Sequence, residues 1–347
     1  MAVSAIVLAA GGGTRMRSTR PKPLHLICGR PMVMHVIHSL EHVKPDRTVV
    51  VVGHGGDRVS AKVSEQTPDW AHVTFVEQAQ QNGTGHAALI GLTAIPGDEL
   101  DDTSTVIVMP GDTPLLQTET IEALVNAHES SGNAATVLTA QVDQPTGYGR
   151  IVRGRDGRVM RIVEQRDATT DELNIHEVNT GIFAFRRNLL APALRSVSNN
   201  NSQDEYYLTD TIQILAEMGH RIGSVSADSA ETAGVNDRWQ LALAERELRA
   251  RTNKYWLLNG VTMFDPRQTF IDVTVEIGQD VTLLPGTILQ GRTRIGDGCE
   301  VGPNTRLVDT VVEPGAKIQY SVCDGVTVAA ESVVGPFVHL DAANLHS

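Results

Sequence analysis

The residues best suited to chemistry lie near the start of the chain, where a run of glycines is followed by cations. The glycines are Gly11, Gly12 and Gly13, and the cations are Arg15, Arg17, Arg20 and Lys22. Glycines let backbone N–H groups approach anionic oxygens closely, and successive amides in a loop form an anion-binding concavity. The arginines and the lysine add positive charge beside it. The combination indicates a site for phosphate groups.

Two well-known phosphate loops do not fit this stretch. A Walker A loop needs a lysine followed by Ser or Thr after its last glycine, and no such pair follows Gly13. A dinucleotide fingerprint needs a third glycine three positions after the second, where this chain has Met16. The simplest alternative is a glycine-rich turn with solvated arginines. Four cations within eight residues, next to the end of a predicted strand, argue against that alternative.

The elements that must position these residues follow from the apolar pattern. Residues 4–10 form a short apolar run, which is typical of a buried parallel strand. Further strands alternate with helices, and this alternation predicts βαβ units and a parallel sheet. The other strands are predicted at 48–52, 73–77, 105–109, 135–141, 150–153, 159–164 and 178–186. The helices are predicted at 31–43, 57–66, 85–93, 206–218 and 238–258.

Polar residues that follow two of these strands are suited to binding a base and a metal ion. Gln78 offers a donor and an acceptor to the edge of a pyrimidine, and Gly83 would let the backbone close on the ring. A polar loop before a helix is the alternative for this pair. Asp112 suits Mg²⁺, which takes oxygen ligands and is often held by one or two carboxylates with substrate phosphates. A turn or capping aspartate is the alternative there.

A six-residue period marks the last third of the chain and predicts a parallel β-helix. The predicted inward residues are Ile271, Ile277, Leu283, Leu289, Ile295, Val301 and Leu307, then Val312 and Ile318 after a shift of frame, then Val322, Val328, Val334 and Leu340. The predicted domains are residues 1–229, a connecting helix at 230–260, the β-helix at 261–341 and a tail at 342–347.

Composition narrows the class of protein. The net charge of −12 has the wrong sign for a nucleic-acid partner. The three cysteines, Cys28, Cys299 and Cys323, are far apart without C-x-x-C spacing, which favours reduced thiols in a cytoplasmic protein. Neither a leader pattern nor an apolar run of 18 residues is present, so we expect neither export nor membrane spanning.

The stretch LAAGGGTRMRSTRPKPLH resembles the signature loop of the sugar-phosphate nucleotidyltransferases, also called NDP-sugar pyrophosphorylases. The LAAG opening and the short gap between Arg15 and Lys22 most resemble the bacterial N-acetylglucosamine-1-phosphate uridyltransferases. The resemblance implies an α/β fold: a Rossmann-like, mostly parallel nucleotidyltransferase domain and then a short left-handed β-helix that forms a homotrimer. It also implies Mg²⁺-dependent transfer of UMP from UTP to N-acetylglucosamine 1-phosphate.

The resemblance extends to the motifs T-G-Y-G-R, V-E-Q, N-T-G and G-V-N-D-R, and it implies a set of site residues. The catalytic residues are Arg15 and Lys22, and the metal ligands are Asp112 and Asn236. The nucleotide-binding residues are Leu8, Ala10, Gly11, Gly12, Gly13, Gln78, Gly83 and Thr84. The sugar-binding residues are Gly111, Gly149, Glu164 and Asn179.

Full-length members of the resembled group also carry an acetyltransferase site in later coils of the β-helix. Here residues 335–337 are G-P-F but the R-P-G that follows in the family is missing, so we expect no acetyltransferase activity. Two alternatives stay open. One is a pyrophosphorylase for dTTP or another sugar phosphate such as glucose 1-phosphate. The other is a non-catalytic nucleotide-sugar-binding subunit, which loss of Arg15, Lys22 or a metal ligand would favour; all are present.

Overall fold

The computed structural model describes residues 2–53, 56–96 and 103–341, and the predicted tail at 342–347 lies outside this range. The chain forms two compact units. The first comprises Met1–His25 and Met32–Arg238, and the second comprises Leu26–Pro31 and Trp239–Ser347. Among the described residues, no helix is both long and apolar enough to cross a membrane.

The strands up to residue 227 are, in chain order, β1 (Val3–Ala9), β2 (Leu26–Ile27), β3 (Arg30–Pro31), β4 (Arg47–Gly53), β5 (Val73–Gln78), β6 (Thr105–Pro110), β7 (Ala135–Gln141), β8 (Arg150–Arg153), β9 (Val159–Val163), β10 (Glu177–Arg186) and β11 (Ile222–Ala227). The helices are α1 (Met32–His38), α2 (Asp57–Gln66), α3 (Thr84–Thr93), α4 (Thr118–Ser131), α5 (Thr170–Leu173), α6 (Arg187–Ser196), α7 (Asp210–Glu217) and α8 (Arg238–Leu258).

The first unit is built on a mixed, mostly parallel sheet with the order β11-β7-β10-β6-β1-β4-β5. Strand β1 is parallel to β4 and β6, whereas β10 is antiparallel to both β6 and β7. Strand β8 pairs with β10 and β9 beside this path. Strand β1 is a central strand with parallel neighbours on both sides. The glycine loop that follows it therefore lies at the carboxyl ends of parallel strands, where open α/β sheets bind ligands.

Helices cover both faces of this sheet, which explains why its strands are apolar on both sides. Ile6 packs on one face with residues of α3, α6 and α7, while Ala5 and Val7 pack on the other face with residues of α1, α2 and α4. The three-layer arrangement confirms the predicted α/β fold of this part of the chain.

Some predicted helices have different ends in the structure, and some observed elements were not predicted at all. The helix predicted at 31–43 ends at His38, and the one predicted at 206–218 begins only at Asp210. Helices α4 and α6 and strand β11 were not predicted. Pro192 lies inside α6 and obscures its helical pattern, because proline is unfavourable in a helix interior.

The second unit is a parallel β-helix. Its strands are β12 (Thr262–Met263), β13 (Phe270–Ile271), β14 (Glu276–Ile277), β15 (Thr282–Leu283), β16 (Ile288–Gln290), β17 (Arg294–Ile295), β18 (Glu300–Val301), β19 (Arg306–Val308), β20 (Val311–Val312), β21 (Lys317–Ile318), β22 (Val322–Asp324), β23 (Thr327–Val328), β24 (Val333–Val334) and β25 (His339–Asp341). In the described residues they form three parallel sheets of five, five and four strands.

The predicted inward residues of the β-helix are confirmed with one correction. Leu283, Leu289 and Leu307 are fully buried, as the six-residue period predicts. At β22, however, the inward residue is Cys323 and not Val322, because Cys323 pairs with Leu307 on one side and Leu340 on the other. The inward residue of β22 therefore lies one position later than the sequence pattern predicts. Its small thiol fills a position that a larger aliphatic side chain usually occupies.

The short hairpin β2–β3 belongs to this second unit. The Cys28 N–H donates to the Glu245 carboxylate at 2.7 Å, and the Cys28 carbonyl accepts from the N–H of Val273 at 3.0 Å. Burial, with the Glu245 charge and hydrogen bond adding to it, raises the pKa of the Cys28 thiol. The side chain is therefore a buried, protonated thiol that helps to pack the unit.

Candidate active site

A cleft of about 470 Å³ opens at the carboxyl ends of β1, β5 and β6. It is lined by twelve of the residues singled out from the sequence: Leu8, Ala10, Gly11, Gly12, Lys22, Gln78, Gly83, Thr84, Gly111, Asp112, Glu164 and Asn179. These residues come from widely separated parts of the chain, and the sheet, with the loops and turns at its edge, brings them together. Of the other four, Gly13, Gly149 and Asn236 contact residues of this set directly, and Arg15 contacts Asn236.

Cations and side-chain oxygen atoms converge at one end of the cleft. The Lys22 ammonium forms an ion pair with the Asp112 carboxylate and donates to the Asn236 side-chain oxygen at 2.9 Å. Arg15 donates to the same Asn236 oxygen at 2.9 Å. The two cations predicted to be catalytic therefore meet the two predicted metal ligands, although Arg15 and Asn236 lie more than 200 positions apart in the chain.

Gly13 fixes the path of the loop towards Lys22. Its φ of +57° lies in the left-handed region, and a Cβ there would lie 2.6 Å from the Cβ of Lys22. Any side chain at this position would therefore collide with the lysine as well as strain the backbone. The glycine loop thus has a steric role beside the predicted role of its amides.

Backbone hydrogen bonds hold the two predicted metal ligands, Asp112 and Asn236, close together. Asp112 follows β6, and the N–H of the preceding Gly111 donates to the Leu8 carbonyl of β1 at 2.8 Å. The Val235 N–H then donates to the Asp112 carbonyl at 2.9 Å, which brings Asn236 beside the aspartate. A carboxylate oxygen and an amide oxygen that already face one shared cation form a donor set that suits Mg²⁺.

A second group of residues forms the opposite end of the cleft, at β5 and α3. Gln78 is almost fully buried and its amide nitrogen donates to the Gly83 carbonyl at 3.2 Å. Gln81, which the sequence did not single out, donates to the Ala10 carbonyl at 2.6 Å and ties this end to the glycine loop. Both amides are therefore held in fixed orientations at the cleft wall.

A carboxylate and an amide form the third part of the cleft wall. Thr209 donates to the Glu164 carboxylate at 3.1 Å. Asn179 accepts from the Gly181 N–H through its side-chain oxygen at 3.0 Å, and its own N–H donates to the Gly149 carbonyl at 2.8 Å. The Asn179 oxygen is thus engaged with the protein, and its NH₂ group is the part suited to donate to a ligand.

Burial changes the acidity of the carboxyl groups in this third part. Burial raises the pKa of Glu164, the Thr209 hydrogen bond opposes the rise, and the charges on Asp210 and Asp167 add to it. Burial, together with the Asp167 charge, raises the pKa of Asp210 to about 6. These carboxyl groups therefore hold protons more strongly than exposed ones do.

The segment before α7 contributes residues that the sequence left without a role. Glu205, Leu208 and Thr209 line the cleft. The Tyr206 N–H donates to the Asn82 carbonyl at 2.9 Å, and the Gly85 N–H donates to the Tyr206 carbonyl at 2.7 Å. In the sequence, residues 200–210 resemble a segment of the same family near its sugar site, but no chemical role could be assigned to them, because their contacts depend on how the chain folds.

Comparisons with known proteins agree with this architecture. Residues 5–208 match the model of the MobA-like NTP transferase domain, and residues 274–308 match that of the bacterial transferase hexapeptide (six repeats). The stacked parallel strands of the second unit are those of a hexapeptide left-handed β-helix.

Similar proteins share nearly the whole chain. The chain is 50% identical over 337 residues to the bifunctional protein GlmU of Streptomyces coelicolor, and the aligned region covers 96% of this chain and 69% of that protein. It is 51% identical over 337 residues to the GlmU of Streptomyces avermitilis, with the same coverage. It is 46% identical over 332 residues to the GlmU of Thermobifida fusca, covering 95% of this chain and 67% of that protein.

Proposed function

Because the chain belongs to the GlmU family, whose activity is that of a UDP-N-acetylglucosamine pyrophosphorylase, we propose that it transfers UMP from UTP to N-acetylglucosamine 1-phosphate. The products are UDP-N-acetylglucosamine and pyrophosphate. The observation that carries this proposal is the meeting of Lys22, Asp112 and Asn236 at one end of a cleft. The rest of that cleft presents amides and a carboxylate suited to a base and a sugar.

The reaction needs positioning and positive charge more than a general base. The second pKa of a phosphate monoester is about 6, so the attacking phosphate is already anionic at neutral pH. The difficulty is the approach of one anion to another, which positioned cations relieve. Lys22 would contact the sugar phosphate and the α-phosphate of UTP. Arg15 and the amides of the glycine loop would hold the β- and γ-phosphates that leave.

The metal site is part of the same proposal. Asp112 and Asn236 would hold Mg²⁺, which when bound would supply positive charge to the phosphate oxygens. Both side chains already direct an oxygen at the Lys22 ammonium, so their geometry suits a cation. In this arrangement Lys22 would exchange its protein partners for phosphate oxygens when substrates bind.

The base and the sugar would be recognised by amides and a carboxylate. The Gln78 nitrogen is engaged with Gly83, and its carbonyl oxygen would accept from the N3–H of uracil. The Asn179 NH₂ group would donate to the sugar or its acetyl group, and the Glu164 carboxylate would accept from a sugar hydroxyl. Thymine carries the same N3–H, so the uracil preference rests on the fit of the surrounding wall.

The test is pyrophosphate release with Mg²⁺, crossing UTP and dTTP with N-acetylglucosamine 1-phosphate and glucose 1-phosphate. The proposal expects turnover mainly with UTP and the acetylated sugar. Turnover with another pair would keep the reaction type and change the specificity. No release from any pair by folded protein would favour the non-catalytic binding subunit.

Two further proposals concern the β-helix. We propose that it joins three chains into a homotrimer, which sedimentation equilibrium would detect as a particle of three times the chain mass. We also propose that this stretch of chain does not transfer acetyl groups. Acetylation of glucosamine 1-phosphate by acetyl-coenzyme A, measured on the same preparation, would contradict the second proposal.

A further inference from the structure

Arg238, the first residue of α8, touches both ends of the loop that carries the predicted catalytic cations. Its Nε–H donates to the Met16 carbonyl at 3.2 Å, and its Nη1 donates to Nδ1 of His25 at 3.3 Å. Met16 and His25 are both buried, with 1% and 3% of their surface exposed. One guanidinium therefore joins two points of the loop that are nine positions apart in the chain.

Each of these two points closes the turn that holds a catalytic cation. The Met16 N–H donates to the Gly13 carbonyl at 2.9 Å and ends the 3-10 turn Thr14–Met16, which contains Arg15. The His25 N–H donates to the Lys22 carbonyl at 3.2 Å and closes the 3-10 turn Lys22–Leu24. Displacing either point would therefore move the backbone of Arg15 or Lys22.

His25 is suited to act as a fixed link between these points. Burial, followed by the charges on Arg238 and Arg20, lowers the pKa of its imidazole, while a hydrogen bond with the Arg20 backbone opposes this. A neutral imidazole that accepts at Nδ1 carries its proton on Nε2. Arg238 thus sets the tautomer as well as the orientation of the ring.

The position of Arg238 argues for a role outside its own helix. A cation in the first turn is unfavourable for a helix, because the N-terminus carries the positive end of the macrodipole. Arg238 nevertheless begins the 21-residue helix α8, two positions after Asn236. The segment that supplies one proposed metal ligand thus also supplies the contact that joins the loop.

We propose that Arg238 is a positioning residue for nucleotidyl transfer, joining the Met16 and His25 ends of the glycine loop so that Arg15 and Lys22 face the same phosphates. The proposal rests on the proposed function for its catalytic readout. Arginine is suited to this role because its planar guanidinium directs several N–H groups at fixed angles, whereas a lysine ammonium is a compact charge on a flexible stem.

The test compares Arg238→Ala and Arg238→Lys with Arg246→Ala, which removes an exposed arginine from the same helix. Pyrophosphate release is measured for each variant, and again in a Lys22→Ala background. We expect Arg238→Ala to lower kcat about tenfold to a hundredfold, Arg238→Lys to recover only part of this, and Arg246→Ala to stay within about twofold. Arg238→Ala should stay folded under the assay conditions with a lower melting temperature, because two buried groups lose a hydrogen-bond partner, although α8 also loses an unfavourable charge.

The double variant separates positioning from a general loss of structure. If Arg238 acts through Arg15 and Lys22, adding Arg238→Ala to Lys22→Ala lowers the remaining rate by a smaller factor than Arg238→Ala does in wild type, because only the part that acts through Arg15 is left. An equal fold-loss in both backgrounds would overturn the proposal. So would full activity of Arg238→Lys, since charge alone would then suffice.

A binding measurement keeps this proposal distinct from the proposed function. Calorimetric titration with UTP in the presence of Mg²⁺ requires no acceptor sugar. Weaker UTP binding by Arg238→Ala than by Arg246→Ala would support the positioning role even if wild-type protein released no pyrophosphate. Equal UTP binding by the two variants would count against it.

Discussion

Carboxyl groups in the cleft have different surroundings, and this difference suits different tasks. Asp112 forms an ion pair with Lys22 at the end of the cleft that is proposed to bind phosphates. Glu164 lines the part of the cleft that is proposed to bind the sugar, with Asp167 and Asp210 nearby, and burial raises the pKa of Glu164 and Asp210. The part of the cleft proposed to bind the sugar thus contains a carboxyl group, Glu164, that can accept a hydrogen bond when ionised and donate one when protonated.

Asp210 gives a prediction about stability and pH. The pKa of Asp210 is about 6 in the folded state and 3.8 in its ordinary state. Between about pH 4 and pH 6, the folded protein therefore keeps a proton on Asp210 that the unfolded chain has already lost. Stability therefore falls as pH rises through this window. Asp210→Asn should be more stable than wild type by about 1–2 kcal/mol at pH 7.5, a value reduced for solvent screening, and nearly equal at pH 4.

Urea unfolding at both pH values measures this difference. Asp143→Asn, which removes an exposed aspartate from the same unit, is the control and should be unchanged at both. A variant Asp210→Asn that is no more stable than wild type at pH 7.5 would show that the carboxyl does not carry a destabilising charge.

At the scale of single residues, much of the candidate site followed from the sequence because its chemistry requires particular residue types. Glycines, a lysine and an aspartate after strands predict a phosphate and metal site before any fold is known. Gln81 and Thr209 could not be found this way. Their contacts with Ala10 and Glu164 exist only because separate loops meet over the sheet.

At the scale of elements, the segment before α7 connects two parts of the cleft. It pairs with the start of α3 and with the loop before it, through backbone hydrogen bonds between Tyr206 and both Asn82 and Gly85. The Leu208 N–H also donates to the Thr84 hydroxyl at 3.1 Å, and the adjoining Thr209 contacts Glu164. A change at Gln78 and Gly83, which are proposed to bind the base, should therefore also affect Glu164, which is proposed to bind the sugar.

Gly83→Ala tests this connection. The φ of Gly83 is +102°, and a Cβ there would lie 2.6 Å from the Tyr206 carbonyl oxygen, so alanine must displace one of the two segments. We expect the KM for UTP to rise about tenfold or more and the KM for the sugar phosphate to rise as well. We also expect stability to fall by about 1–3 kcal/mol.

Gly219→Ala is the matched control for strain alone. Gly219 has a φ of +83°, but a Cβ at this position would have open space around it, so the two variants share only the backbone strain. The Gly219→Ala variant should lose stability while keeping both KM values. Unchanged KM values in Gly83→Ala, measured by initial rates, would mean that the two segments do not depend on each other.

Element boundaries were less predictable than element types. The helix at 57–66 and the strands at 135–141 and 150–153 were predicted with the observed bounds. The helix predicted from residue 206 begins later, because Tyr206 and Leu208 use their backbone groups to pair with another loop. Local sequence cannot show that a distant segment will compete for those hydrogen bonds.

At the scale of the whole molecule, the β-helix depends on a column of inward aliphatic side chains. Leu283 is fully buried and pairs with Val301 of the next coil. Leu283→Ala should lower the free energy of unfolding by about 2–5 kcal/mol, because it removes buried methyl groups and leaves a cavity. Urea unfolding of the variant measures this loss.

The control for that experiment is Glu300→Ala, since Glu300 is exposed on the adjoining strand and precedes an inward valine. It should change stability by less than about 0.5 kcal/mol. A loss of similar size in both variants would contradict the inward stacking. The sequence predicted this repeat well because its period is strict, and it failed at Cys323, where the coil is shorter and the pattern alone does not fix the frame.

The most direct test of the account is pyrophosphate release from UTP and N-acetylglucosamine 1-phosphate by the Lys22→Ala variant. Lys22 contacts both proposed metal ligands, so its loss should lower kcat about a hundredfold or more without unfolding the protein. Lys62→Ala, which removes an exposed lysine paired with Glu65, should keep wild-type kinetics. Wild-type kinetics for a folded Lys22→Ala would contradict the assignment of this cleft as the catalytic centre.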